Sequence, residues 1–282
     1  MPRLPLNPMS VWSVVKELRT TAEDFRPLLV AGAPEHAGAI QAALVEGGDP
    51  KAARDLSGSG PSPYDLEGAS VLVYAVDGAT PSEEDEQVFR LAGRKGVEVV
   101  CVLVGVPEGE VRDVPYVPAT DVLAVAPGEP LPIARIAERV AERADDTSHH
   151  LAARLPALRP AVAESIVKGF AVQNGVLGVA IFIPGADFPV LTLNQIRMVL
   201  RLAAAYGEEL DRQSALEVLS VVGAGLGFRA VSRQLAGVVP GLGWAVKGGI
   251  AYAGTRALGE TAAAFFAAGG TKRLEESVRS RS

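Results

Sequence analysis

Leu29-Val30-Ala31-Gly32-Ala33-Pro34-Glu35-His36-Ala37-Gly38-Ala39-Ile40 decides the fold class of the first half of the chain. An apolar run passes through a glycine-bearing turn into a segment of helical spacing. Pro27 to Gly32, Ser70 to Val76, Val97 to Val104 and Asp121 to Val125 are all short, rich in Val and Leu, and without strict alternation. Continuous apolar runs of this length suit strands buried on both faces, hence a parallel sheet covered by helices. Glu35 to Val45, Pro81 to Gly93 and Leu131 to Ala144 supply the helices, so residues 27–146 read as repeated βα units.

Outward from that core, Gly47 to Gly68 is polar and rich in Gly, Pro and Ser, which predicts a long surface loop. Within residues 1–26, Val11, Trp12, Val15 and Leu18 share one face of a short amphipathic helix opened by Ser10. The polar stretch Ala144 to His150 predicts a domain boundary. From Leu151 the strand signal disappears and Ala, Leu, Val and Gly take over, so residues 151–278 read as an all-α, glycine-rich domain.

The chain has 282 residues, 48% of them hydrophobic, enough for two ordinary domains. The lone Cys101 makes no internal disulfide, and polar Asn7, Ser10 and Ser13 interrupt any apolar leader, so a reducing cytoplasm is expected. Three His and one Cys are too few for a zinc cluster of the Cys/His type. Residues 1–150 carry 24 acids against 13 bases, and residues 151–282 carry 9 against 14, so the halves stand at −11 and +5. A basic half without Lys/Arg clusters interleaved with aromatics favours an anionic membrane surface over nucleic acid.

Candidate chemistry is sparse. Ala33 to Gly38 has the spacing of a Walker A loop, but Ala39 and Ile40 occupy the places of the phosphate-binding Lys and the Mg²⁺-binding Ser or Thr. Glu35 adds a negative charge there, and Gly32 and Gly38 lack the intermediate glycine of a dinucleotide site. Asp77, at a strand end, reads as a solvated turn residue. Thr80 and Glu83 read as a capping box with Pro81 at the first helical position, so the acids Glu83, Glu84, Asp85 and Glu86 complement a helix dipole. No catalytic residue, metal or cofactor is assigned.

In the second half, Gly169 to Ala186 is uncharged over 18 residues but holds Gln173, Asn174 and Pro184, while Leu235 to Gly254 contains Pro240 and Lys247. Each fits a buried helix, a re-entrant hairpin or an interfacial helix. Asn194, Arg197 and Arg201 form a polar stripe in which two like charges need an anion between them. Asp187, Asn194, Gln195 and Arg197 are expected to form one polar cluster, with Asp187 paired to Arg197. Small residues at helical spacing, including Gly223, Gly225, Gly227, Gly237, Gly241, Ala245, Gly249 and Ala253, predict close helix contacts and a route to homo-oligomers.

Ile183-Pro184-Gly185-Ala186-Asp187, Leu191 to Met198 with Gln195, Ala205-Tyr206-Gly207, Val239-Pro240-Gly241-Leu242-Gly243 and Ala253-Gly254-Thr255 with Gly259 resemble the bacterial YcjF-type helical domain. That family follows Era-like GTPase domains and is associated with membranes. The resemblance covers roughly Ala161 to Gly270. It implies that the first half is a GTPase-like domain with eroded motifs. Val104-Gly105-Val106-Pro107 stands where guanine is read, and Asp65-Leu66-Glu67-Gly68 has Asp-x-x-Gly spacing but precedes a strand. The expectation is a degenerate P-loop GTPase-like α/β domain followed by the helical domain, acting as a non-enzymatic scaffold on the cytoplasmic membrane. The alternatives are a soluble, self-associating helical scaffold and an NTPase with an atypical phosphate site.

Overall fold

The computed structural model describes residues 8–23, 25–107, 113–144, 147–180, 187–208 and 244–270, together with 210, 211, 215, 216, 218 and 219. Two compact units emerge, residues 24–162 and residues 1–23 with 163–282. Both differ from the division expected at Ala144 to His150.

The first unit is a five-stranded, all-parallel sheet in the order β2-β1-β3-β4-β5. Its strands are β1 (Leu28–Gly32), β2 (Ala53–Asp55), β3 (Val71–Asp77), β4 (Glu98–Val104) and β5 (Val122–Val125). Side chains alternate across the pleat, so each central strand feeds two cores. Leu29, Ala31, Leu72, Tyr74, Cys101 and Leu103 pack with Phe89 and Ala92 of α4 (Glu83–Lys95) and Leu66 of α3 (Pro63–Glu67). Val30, Val73 and Val102 point the other way, to the side of α2 (Pro34–Val45) and α5 (Ile133–Arg143), where Ile40, Leu44, Ile136 and Val140 are wholly buried. Burial on both sides is why the strands read as unbroken apolar runs.

The segment expected as one long loop holds a 3-10 turn (Pro50–Ala52), a strand and a helix. β2 is three residues long and pairs in parallel with β1, Leu28 opposite Ala53 and Val30 opposite Asp55. A short edge strand with Arg54 and Asp55 exposed lacks the apolar content that marks the other four. Helix α3 starts at a capping box in which Ser62 and Asp65 bond reciprocally. The box on α4 is likewise Ser82 with Asp85, two residues beyond the expected Thr80 and Glu83. Asp85 is favoured because its second oxygen also accepts from Tyr74 OH on β3 at 2.7 Å.

Residues 147–162 join this unit because they pack on it. In α6 (Ser148–Arg154), the Arg154 guanidinium lies 3.8 Å from the Phe25 ring centroid and 3.7 Å from Asp49, and its carbonyl accepts from Asp49 N–H at 2.8 Å. A Cβ at Gly48 would collide with that carbonyl, so glycine is required at this contact.

The second unit is helical, with α1 (Pro8–Glu23), α7 (Arg159–Ala180, of which residues 163–180 belong here), α8 (Asp187–Ala205) and α9 (Trp244–Ala267). The helix expected at the N-terminus forms, but its buried face is Val14, Val15 and Leu18, packed on Ile196 and Leu200 of α8. Trp12 is left 40% exposed, contrary to the face predicted from Val11, Trp12, Val15 and Leu18.

Antiparallel pairing of α7 with both α8 and α9 is legible in three layers. In one, Gly259 faces Val167 and Met198, and a Cβ there would come within 2.6 Å of Val167 Cγ2 and 3.0 Å of the Met198 sulfur. In the next, Asn174, Asn194 and Thr255 meet. In the third, Gly248 sits against Val179 and Gly175, with the Gly175 carbonyl 2.8 Å from where a Cβ would stand. Among the described residues, Gly175 and Gly248 bring two helix backbones together, while Gly259 makes room for the side chains of Val167 and Met198. Gly249 and Ala253, expected at a contact, are exposed, and the other small residues named from residue 223 to 241 lie outside the described residues. Among the described residues, no helix is long and apolar enough to cross a membrane.

Candidate functional site

In a doubly wound sheet, ligands bind outside the carboxyl ends of the strands where the order reverses, here between β1 and β3. At that edge the turn after β1 is tight and packed on β3. Gly32 has φ 99°, and a Cβ would collide with the Ala75 carbonyl, so only glycine lets the turn cross β3 this closely. Ala33 N–H donates to the Ala75 carbonyl at 2.8 Å, and Pro34 opens α2 at once without an N–H to offer. The stretch Ala33 to Gly38 is therefore a cap and a first helical turn, not a loop of amides arched around an anion.

The positions beyond it fit no better. Gly38 faces β2, where a Cβ would lie 3.8 Å from the Asp55 carboxylate. Ala39 is exposed, and Ile40 is wholly buried, so a hydroxyl in its place would point into the core rather than at a metal. His36 Nε2 stands 3.9 Å from Asp77, whose side chain is 80% exposed, as expected of a solvated strand end. At the end of β4, the N–H groups of Gly105 and Val106 both donate to the Val125 carbonyl at 2.8 Å. That turn is consumed by packing where a guanine reader would stand. Among the described residues, no group of three or more His, Cys, Asp or Glu could hold a metal ion.

Asp65 is likewise committed. Hydrogen bonds from the Ser62 hydroxyl and backbone, with Arg54 at 2.9 Å, hold its carboxyl below the usual range. Burial, and then the nearby Asp85 carboxylate, push the Cys101 thiol up to about 12, and the same two causes raise the Tyr74 phenol. These groups keep their protons at neutral pH and offer no nucleophile.

The polar cluster expected in the helical unit divides in two. Asn194 Nδ2 donates to Asn174 Oδ1 at 3.0 Å, Asn174 Nδ2 donates to Thr255 Oγ1 at 2.9 Å, and Gln195 Nε2 reaches the same hydroxyl at 3.5 Å. Asn174 and Thr255 are wholly buried and Asn194 is 5% exposed, so this is an uncharged node joining three helices. Arg197 turns instead to α1, where Glu17 lies 3.8 Å from both Arg197 and Arg201. The anion required between the two arginines is thus a residue of the chain's own first helix. The side chain of Asp187, and so its expected pairing, lies outside the described residues. Asn174 and Thr255 were assigned to no site by the sequence, although the two amides Gln173 and Asn174 inside an uncharged 18-residue stretch were the signal.

Comparison of the chain with protein-family models and with curated proteins returned no match.

Proposed function

We propose that the protein is a non-enzymatic pseudo-GTPase of the cytoplasmic membrane, with the α/β unit as a protein-docking module and the helical unit as the membrane-associating part. The observation that carries the first half of this reading is the Gly32-Ala33-Pro34 turn, whose amide is spent on β3 and whose helix begins immediately. The sheet order supports kinship with nucleotide-binding α/β domains, and the degenerate P-loop character rests on the Walker-like spacing alone. The net charge of +5 on residues 151–282 and their low polarity support attachment to an anionic leaflet.

Titration calorimetry with GTP and Mg²⁺ tests the docking half. No binding is expected at micromolar nucleotide, and Ala39→Lys with Ile40→Ser restores none, because the buried position 40 faces away from the edge. Micromolar affinity would favour an NTPase with an atypical phosphate site. The soluble, self-associating scaffold is favoured instead if the full chain ignores anionic vesicles and sediments as an oligomer.

A further inference from the structure

We infer that the helical unit enters one leaflet of the bilayer by the end of the bundle formed by the last turns of α7 and the first turns of α8 and α9. The inference rests on the membrane reading above and locates its contact. The Asn174, Asn194 and Thr255 node divides the bundle along its length. On one side stand Glu164, Lys168, Arg197, Arg201, Arg256 and Glu260, several of them ion-paired: Arg256 with Glu164 at 3.0 Å and with Glu260 at 2.7 Å. Residues 169–180 of α7, 187–194 of α8 and 244–255 of α9 on the other side contain one acid, Asp187, and one base, Lys247.

The charge-poor end also leaves three valines in the open. Val172 is 50% exposed, Val176 is 62% exposed one turn further along the same face, and Val190 on α8 is 42% exposed. Lys168 is exposed one turn before Val172, so the face runs from a cation to bare valine, the order in which headgroups and acyl chains are met. Eight to twelve helical residues rise about 12–18 Å, roughly half of the ~30 Å hydrocarbon core. The neutral node suits that setting, because its amides and hydroxyls bond to one another between helices.

The test uses the full chain with Val176→Cys or, separately, Glu260→Cys, each carrying a polarity-sensitive fluorophore. The probe membrane is vesicles of phosphatidylethanolamine and phosphatidylglycerol, with and without brominated acyl chains. In vesicles the Val176 label should shift to the blue and be quenched by bromine, while the Glu260 label stays aqueous. Val176→Glu should lower vesicle partitioning about tenfold, the cost of losing one buried valine. A chain that floats with vesicles while its Val176 label stays in water overturns this inference and leaves the membrane reading standing. A chain that does not float overturns both. A Val176 label already shielded in vesicle-free buffer, by the chain itself or by a second copy, also overturns it.

Discussion

Asp121 is the residue whose environment is least forgiving. It is wholly buried at the start of β5, and its Oδ1 accepts from Arg143 Nε at 2.9 Å while Oδ2 has no hydrogen-bond partner among the described residues. Removing one member of a buried pair strands the other charge at a cost of about 3–5 kcal/mol. Arg143→Met should therefore destabilise the α/β unit by about that much, and Asp121→Leu with Arg143→Met should recover most of it, as read by urea denaturation followed by circular dichroism. Cys101 gives a second measurement. Its thiol holds a proton up to about pH 12 when folded, against an ordinary value of 9.0, so the native chain should resist alkylation at pH 8 and react once unfolded. The sign follows for stability. The raised value contributes nothing below pH 9 and favours unfolding progressively as pH rises toward 12, an effect that Cys101→Ala removes.

At the scale of elements, the strands were legible where burial on both faces forced unbroken Val and Leu, and illegible where it did not. β2 was missed because an edge strand of Ala53, Arg54 and Asp55 needs charge more than it needs apolar mass. The helix starts were legible to within a turn, but Ser82 won over Thr80 because Tyr74 on β3 anchors Asp85, a tertiary contact that spacing does not carry. Of the candidate polar cluster, Asn194 and Gln195 were readable as polar positions on an apolar helix. Their partners came from α7 and α9, and helix pairing across 20 and 60 residues leaves no periodic trace. Asn174→Leu should cost about 1–3 kcal/mol by leaving the Asn194 amide donor without its acceptor. Trp12 and Trp244, the chain's two tryptophans, both belong to the helical unit, so their fluorescence during chemical denaturation reports that loss without interference from the sheet. Asn174→Leu combined with Asn194→Leu should cost less than the sum of the two single changes.

For the whole molecule, the division at residues 162 and 163 makes a prediction that the division at 144–150 does not. A chain of residues 24–162 should fold cooperatively. One of residues 27–146 should melt lower or fail to fold, because it lacks Phe25 and Arg154 and the packing of residues 147–158 on α2 and α5. Equal melting temperatures by circular dichroism would place the boundary at the polar stretch instead. Removal of residues 1–23 from the full chain should leave the sheet intact and weaken only the helical unit, by uncovering Ile196 and Leu200.

The helical unit is assembled from the two ends of the sequence, and that order has a consequence during synthesis. Val14, Val15 and Leu18 leave the ribosome some 180 residues before Ile196 and Leu200, the surface that covers them. At about 5–20 residues per second the interval is roughly 10–40 s. The α/β unit is complete within that time, so the nascent chain carries a finished domain behind a first helix whose apolar face still has no seat. Until then Val14, Val15 and Leu18 stay open to any surface the nascent chain meets.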